Sequence, residues 1–295
     1  MAPCNYAIVM FAYNEEQNIQ SSLDSLFAAI NPNFTKLTVI ANGCSDNTAN
    51  IVRDNRHRFG RHRLSVVELA IGDKCNAWNH YIHVLAGNES CHFFVDADVT
   101  FSEDCFGRMS RCLNESAQSY NIVAGVPLSG RNQDYYQSLI TDRSCFFGNL
   151  YGARYSYLQL LREKNFRLPI GLNWIDSFLT KAANTDLNFG PKNLPNRVTY
   201  CPGVGYYVDS LSPLRLEDIR LYLNRIARYE LGKIQELYLD ALTVESWPKT
   251  LDQINTQIWS EFSNDAVNLS LVKRWLVRRR LKRFIDQASK EIDHA

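Results

Sequence analysis

The chain has 295 residues, of which 45% are hydrophobic, 21% charged and 12% aromatic, a composition that supports a large core and argues against long disorder. Its formal net charge is +1, so no global field selects for nucleic acid or for an acidic partner. No stretch approaches the roughly 18 apolar residues that a bilayer span requires.

At the N-terminus, Met1-Ala2-Pro3-Cys4-Asn5 has no basic n-region, and the apolar run Tyr6–Tyr13 is short for a signal peptide; neither secretion nor membrane spanning is expected. The eight cysteines, at positions 4, 44, 75, 91, 105, 112, 145 and 201, contain no Cys-x-x-Cys pair, which leaves a structural zinc site without support. In a chain this long and without a secretion signal they read as reduced thiols, placing the protein in a reducing, cytoplasmic compartment.

Tyr6–Phe11 is a continuous apolar run of strand length. Glu15–Ile30 follows with Ile19, Leu23, Leu26, Phe27 and Ile30 at helical spacing. Leu37–Ile40 is a second strand, then a helix near Asp46–Arg58, a strand at Leu64–Leu69, a helix at Lys74–Leu85 and a strand at His92–Val95. Strands without polar alternation, each followed by a helix, predict a parallel sheet covered on both faces. Beyond residue 100 the pattern loosens. Val123–Leu128 reads as a strand, Ser144–Leu161 is aromatic-rich and ambiguous, and Asn173–Ala183 reads as a short helix. Asp186–Pro195 is loop-like, Val198–Tyr200 an edge strand, and Leu216–Leu239, Thr250–Phe262 and Asn268–Ser289 are helical.

Polar residues gather at the strand ends: Tyr13-Asn14-Glu15 after the first, Asn42-Gly43-Cys44-Ser45-Asp46 after the second, Asp96-Ala97-Asp98 after the fourth. In a parallel α/β sheet these ends share the edge where ligands bind. Alternate residues of an extended segment point the same way, so Asp96 and Asp98 can face one ligand, and two carboxylates there suit a hard divalent cation that also holds a diphosphate. The competing reading is a solvated acidic turn. Asn14 reads as a helix N-cap, with Glu15 and Glu16 at the positive helix start and Gln17 completing a capping box. Lys74 opens the third helix as a point charge suited to phosphate, or as an ordinary solvated residue. There is no P-loop string and no Gly-x-Ser-x-Gly elbow, and Gly203-x-Gly205 lacks a third glycine, since position 208 is Val.

These residues resemble the family 2 glycosyltransferases. Ala7–Glu16 is similar to the family's opening strand, Asn42–Thr48 to its Asp-Asp-Gly-Ser-x-Asp turn, Lys74–Asn79 to its Lys-x-x-Ala-Leu-Asn segment, and Phe94–Asp98 to its DXD motif. Ile175-Asp176-Ser177-Phe178-Leu179 resembles the Glu-Asp-x-x-Leu segment of the catalytic base. The resemblance implies a GT-A fold (Rossmann-like α/β, a mostly parallel sheet covered by helices) over residues 1–215, with a helical C-terminal extension over 216–295. It further implies an inverting transfer of a sugar from a nucleotide-sugar, expected to be a UDP-sugar, with Mg or Mn. By the same resemblance Ala12, Tyr13, Glu15, Asn42, Lys74 and Asp96 surround the donor. Tyr13 and Glu15 would touch the nucleoside, Asp96 the ribose, Asp98 would bind the metal, and Asp176 would deprotonate the acceptor. Two positions depart from the pattern: Ala41-Asn42 stands for the paired acids of the turn, and Ile175 for the glutamate beside the base. Arg225–Tyr229 loosely resembles the Gln-x-x-Arg-Trp segment of processive members, but a solvated helix face explains it better.

Leu271–Phe284 carries seven basic residues and no acid, so the rest of the chain is net negative. A basic amphipathic helix with Trp275 and Phe284 suits an anionic membrane surface at the inner membrane face, near a lipid-linked acceptor. It equally suits a helix docked on the domain or an oligomer contact; nucleic acid is disfavoured. The acceptor is not legible in the sequence. Two rival functions are a nucleotidyltransferase, which lacks its Gly-rich loop here because Ala12-Tyr13-Asn14 follows the first strand, and a silent docking module.

Overall fold

The computed structural model describes residues 5–60, 62–116, 118–209, 214–263 and 269–293. Two compact units divide the chain: Met1–Phe166 with Asp176–Ser210, and Arg167–Ile175 with Leu211–Ala295.

In the first unit, β1 (Tyr6–Ala12) is buried at every position, as its unbroken apolar sequence requires of a central strand. Helix α1 (Ile19–Ala29) buries Ile19, Leu23 and Leu26, one stripe at helical spacing. β2 (Phe34–Asn42) is followed by α2 (Thr48–Asp54) and the short α3 (Arg56–Phe59), so the expected Asp46–Arg58 helix is broken at Asn55. After β3 (Leu64–Leu69), α4 (Lys74–His80) runs into a π-helical turn, Tyr81–Leu85. β4 (Cys91–Asp96) and β5 (Thr100–Phe101) precede α5 (Cys105–Asn114), β6 (Ile122–Pro127) and α6 (Gln133–Arg143). The ambiguous aromatic stretch resolves into β7 (Leu150–Arg154) and α7 (Tyr155–Glu163), followed by α8 (Ile175–Asn184) and β8 (Val198–Tyr207).

The sheet order is β3-β2-β1-β4-β7-β6-β8-β5. The first four strands in this order pair in parallel, as the repeated strand–helix pattern predicts. The continuation differs: β7 lies antiparallel between β4 and β6, and β5 pairs antiparallel with β8. Val198–Tyr200, expected as an edge strand, pairs β6 alone along those three residues; β8 runs on to Tyr207, and only its end, Tyr206 and Tyr207, is covered on the other side, by the two-residue β5. One face of the sheet packs Tyr6, Ile8, Met10, Phe93 and Val95 against α1 and α5. On the other face Phe94 stacks on Tyr151 at 4.7 Å, and the Trp78 indole N–H donates to the Tyr151 hydroxyl at 2.8 Å, which satisfies both buried polar atoms.

Register sets where the site forms. Ala12 pairs Ala41, Phe11 pairs Asp96, and Val95 pairs Leu150 of the antiparallel β7. The carboxyl ends of β1, β2 and β4 thus meet the loop that enters β7.

The second unit holds α9 (Leu216–Asp240), α10 (Asp252–Ser263) and α11 (Leu271–Asp293). Leu231, Ile258, Phe262, Val277 and Leu281 form its core. The segment Arg167–Ile175 belongs to it too, with Ile170 bridged to Thr250 and the Leu251 N–H donating to the Ile170 carbonyl at 2.9 Å. Arg225, Arg228 and Tyr229 are exposed on α9, as a solvated helix face would have them.

Candidate active site

The loops after β1 and β2 are laced together by side chains. Asn14 adopts a left-handed backbone, φ 55°, which asparagine tolerates better than most residues. Its carboxamide oxygen accepts the Ser45 N–H at 2.8 Å and its amide donates to the Ser45 hydroxyl at 3.3 Å. The Glu15 N–H donates to the Thr48 hydroxyl at 2.8 Å, and the Glu16 N–H to the Asp46 carboxylate at 3.0 Å. The N-cap expected at Asn14 is not made: α1 starts four residues later, with Asn18 at its cap. Asn14 satisfies the neighbouring loop instead of its own helix. Partial burial alone would raise the Asp46 carboxyl, but hydrogen bonds from Thr48 and Glu16 hold it below the ordinary range.

Gly43 (φ 69°) and Gly72 meet so closely that a Cβ on Gly43 would lie 2.5 Å from the Gly72 Cα. A Cβ on Gly72 would lie 2.9 Å from the Tyr13 ring, so the absence of a side chain there lets the ring approach this turn closely while 57% of Tyr13 stays exposed. Asn42 is buried beneath, its carboxamide oxygen accepting the Asp73 N–H at 3.2 Å. Asp73 in turn caps α4, accepting the Asn76 N–H at 2.9 Å. Ala12 turns its methyl into the core and accepts the Cys44 thiol on its carbonyl at 3.4 Å, so its side chain adds nothing to a surface here.

Lys74, at the start of α4, bonds the Asp96 carboxylate and lies 5.9 Å over the Phe11 ring. Asp96 and Asp98 alternate with Val95, Ala97 and Val99, all three in the core; Asp98 is exposed. The Asp96 N–H donates to the Asn149 carbonyl at 3.3 Å, which draws the Phe147–Asn149 loop to the end of β4. There the Gly148 N–H donates to the Asp176 carboxylate at 3.1 Å. A Cβ on Gly148 would stand 2.8 Å from the Lys74 ammonium and 3.1 Å from that carboxylate oxygen. Lys74, Asp96 and Asp176, which lie far apart in the chain, therefore converge around one glycine. Burial first, and then the Asp176 and Asp96 charges, push the Tyr206 hydroxyl up, and Tyr151 is raised in the same way despite its bond from Trp78.

Glu15 reports the negative potential of the site. Burial pushes its carboxyl up to about 7, aided by the charges of Asp98, Asp96 and Asp46 and opposed by a hydrogen bond from Asn18. A divalent cation would relieve that potential. Asp96 and Asp98 offer two hard carboxylate donors, the type a magnesium-like cation takes together with phosphate oxygens; among the described residues no three His, Cys, Asp or Glu side chains gather into a metal cluster.

Gly148, Asn149 and the nearby Tyr136, whose ring meets Phe147 at 5.2 Å, carry no motif. The only sequence signal was a glycine inside the aromatic run Cys145–Tyr151.

The mixed sheet, the helices on both faces and the polar carboxyl edge define the GT-A fold of nucleotide-sugar-dependent glycosyltransferases. The sequence profile of Glycosyl transferase family 2 matches residues 7–173. The chain belongs to that family and is a glycosyltransferase. No curated protein matches it in sequence. Among solved structures it is similar to the mannosyltransferase PcManGT from Pyrobaculum calidifontis in complex with GDP-Man and Mn2+, at 17% identity and TM-score 0.60, over 97% of this chain and 75% of that one. It is also similar to residues 1–349 of S. aureus TarS in complex with UDP-GlcNAc, at 16% identity and TM-score 0.55, over 97% and 92% of the two chains. Glucosyl-3-phosphoglycerate synthase from Mycobacterium tuberculosis, in complex with Mn2+, UDP and glucosyl-3-phosphoglycerate, matches at 17% identity and TM-score 0.50, over 77% and 79%.

Proposed function

We propose that the protein is an inverting, metal-dependent glycosyltransferase that uses a UDP-sugar with Mg or Mn, with Asp176 as the base. The convergence of Lys74, Asp96 and Asp176 on Gly148 carries this reading. Tyr13 and Asn42 form the nucleoside end. The Tyr13 ring offers a face for the base, and Asn42, whose oxygen is taken by Asp73, keeps its amide N–H₂ for a uracil carbonyl. Glu15 and Asp96 flank the ribose, and Lys74 neutralises phosphate. Asp98 would hold the cation, which would supply electrostatic stabilisation of the departing diphosphate. Asp176 takes the proton of the acceptor hydroxyl as it attacks the anomeric carbon opposite the leaving group. One displacement from that side inverts the anomer.

The neighbours' GDP-Man and UDP-GlcNAc complexes make the donor base the first quantity to measure. Incubation with UDP-glucose, UDP-GlcNAc and GDP-mannose, with and without Mn, should release UDP from a UDP-sugar only when Mn is present. Proton NMR of the transferred sugar on an accepted hydroxyl should give the β-anomer from an α-linked donor. Release that ignores Mn, or retention of configuration, would overturn the reading. A requirement for sugar phosphate and nucleoside triphosphate would instead identify a nucleotidyltransferase.

A further inference from the structure

We propose that the outward face of α11 is a docking surface for an anionic phospholipid bilayer. The helix is two-sided. Val277 and Leu281 lie in the second unit's core and Leu276 is also buried, which accounts for only one of its stripes. On the opposite stripe Leu271, Val272 and Trp275 are 83%, 65% and 57% exposed, and Arg278, Arg279, Lys282 and Arg283 follow them, all exposed. The apolar residues occupy the first turns and the bases the next ones, along about 18 Å of helix axis.

The seven bases of Leu271–Phe284 do not act alike. Lys273 donates to Glu230 at 2.7 Å. The Arg280 guanidinium turns inward and donates to the Asn173 carboxamide oxygen at 2.5 Å. The four outward bases are of another kind. Arg279 lies 5.6 Å from the centre of the Trp275 ring and Arg278 5.2 Å from that of Trp259, so aromatic faces hold two of the guanidinium groups on the outward side. The first acid of the helix, Asp286, comes only after this stretch.

An exposed indole beside leucine and valine suits the headgroup–acyl boundary, and bases alongside suit anionic headgroups. A second copy of the same face would bring like charges together. A nucleic-acid backbone would engage the bases but leave Leu271, Val272 and Trp275 in water. The bilayer is the occupant that uses both halves.

The test is sedimentation of the full chain with vesicles of phosphatidylcholine alone, or of phosphatidylcholine and phosphatidylglycerol in equal parts. The wild type should pellet with the mixed vesicles only, and less so as salt shortens the Debye length from its physiological value of about 8 Å. Replacing Arg278, Arg279, Lys282 and Arg283 together by Gln should weaken partition by several hundredfold, at about fivefold per charge. Arg278→Lys, Arg279→Lys and Arg283→Lys together should preserve it, and Trp275→Ala should weaken it several-fold without lowering the melting temperature. If the Gln variant unfolds, the Lys variant and Trp275→Ala still decide. Equal pelleting with neutral vesicles, no pelleting at all, indifference to both Trp275→Ala and charge removal, or binding to a single-stranded RNA oligonucleotide but not to vesicles would each overturn the proposal.

Discussion

The Asp176 carboxylate is held by the backbone N–H of Gly148 at 3.1 Å, and only a glycine leaves room for this beside the Lys74 ammonium. A methyl at position 148 would meet the far end of a flexible lysine rather than backbone. Gly148→Ala should therefore displace Lys74 from Asp96 at little cost to the fold. Melting temperature should hold, while kcat/KM falls by about a hundredfold, the scale of a catalytic group moved by about an ångström. Normal activity in a normally folded variant would show that the Lys74–Asp96 contact is dispensable.

Asp176→Asn keeps the acceptor for the Gly148 N–H but loses basicity. Transfer should drop by about 10²–10⁴-fold with UDP affinity unchanged, measured as steady-state kcat beside calorimetric UDP binding. Asp98→Ala should do the reverse to binding, erasing the difference in UDP affinity with and without Mn. Near-normal turnover in the first variant would move the base elsewhere; a surviving Mn effect in the second would move the metal.

Glu15 should make donor binding pH-dependent. Its carboxyl, raised to about 7 by burial and by Asp98, Asp96 and Asp46, is protonated in much of the protein just below neutrality. A cation beside those aspartates favours the ionised form, so Mn–UDP binding should release protons and tighten as pH rises through about 7. Calorimetry in two buffers of different ionisation enthalpy reads the proton count directly. A Glu15→Gln variant should bind without that release.

Much of this site was legible because strand ends in the parallel half are consecutive in the sequence. The apolar runs at β1 to β4 predict their own termini, and Tyr13, Asn42 and Asp96 follow from them. The other half depends on pairing over long sequence distance. Nothing local in Cys145–Arg154 says that β7 enters antiparallel beside β4, and without that pairing Gly148 has no reason to meet Lys74. The cap of α1 is hidden from the sequence for a related reason. Asn14 can satisfy either its own helix or a neighbouring loop, and only the packed β2–α2 turn, with Ser45 2.8 Å away, decides between them. The basic helix shows the same limit, since composition counts seven charges but packing separates Arg280 from the outward four.

Stability should fall in mild acid because of one imidazole. His92 is fully buried, its Nδ1 bonded to the Tyr81 hydroxyl at 2.9 Å. Burial pushes it down to about 4, with the Glu89 charge opposing and Lys36 and Arg162 assisting. An unfolded chain takes up that proton near pH 6.5. Between about 6.5 and about 4 the unfolded state binds more protons, so the His92 contribution is complete above about 6.5 and is lost as pH falls through this window. Glu15 titrates the opposite way over part of the range, so the difference between wild type and His92→Gln isolates the histidine. Urea unfolding across the window should show the wild type losing stability more steeply than the variant; parallel curves would assign the acid sensitivity elsewhere.

The second unit rests on a buried amide network that joins three helices to the Arg167–Ile175 segment. Gln235 is fully buried. Its oxygen accepts the Asn173 backbone N–H at 2.9 Å, and its nitrogen donates to the Gly171 carbonyl at 3.1 Å and to Asn255 at 2.8 Å. Arg280 closes the network by donating to the Asn173 side chain at 2.5 Å. Burial lowers its guanidinium to about 10, with the Arg228 and Arg283 charges adding to the effect, so it remains charged at neutral pH and depends on that hydrogen bond. Gln235→Leu strands the Asn173 backbone N–H and the Asn255 carboxamide oxygen, each worth about 1–3 kcal/mol when left unpaired, while the Gly171 carbonyl keeps the Asn173 side-chain amide at 2.9 Å. Arg280→Met removes a donor but leaves only one acceptor, so it should destabilise less. The double variant should be more stable than the sum of the two losses predicts, because both act on Asn173. Urea unfolding of the four proteins measures the coupling directly. Strict additivity would mean that Arg280 and Gln235 hold Asn173 independently and that the network is two separate contacts.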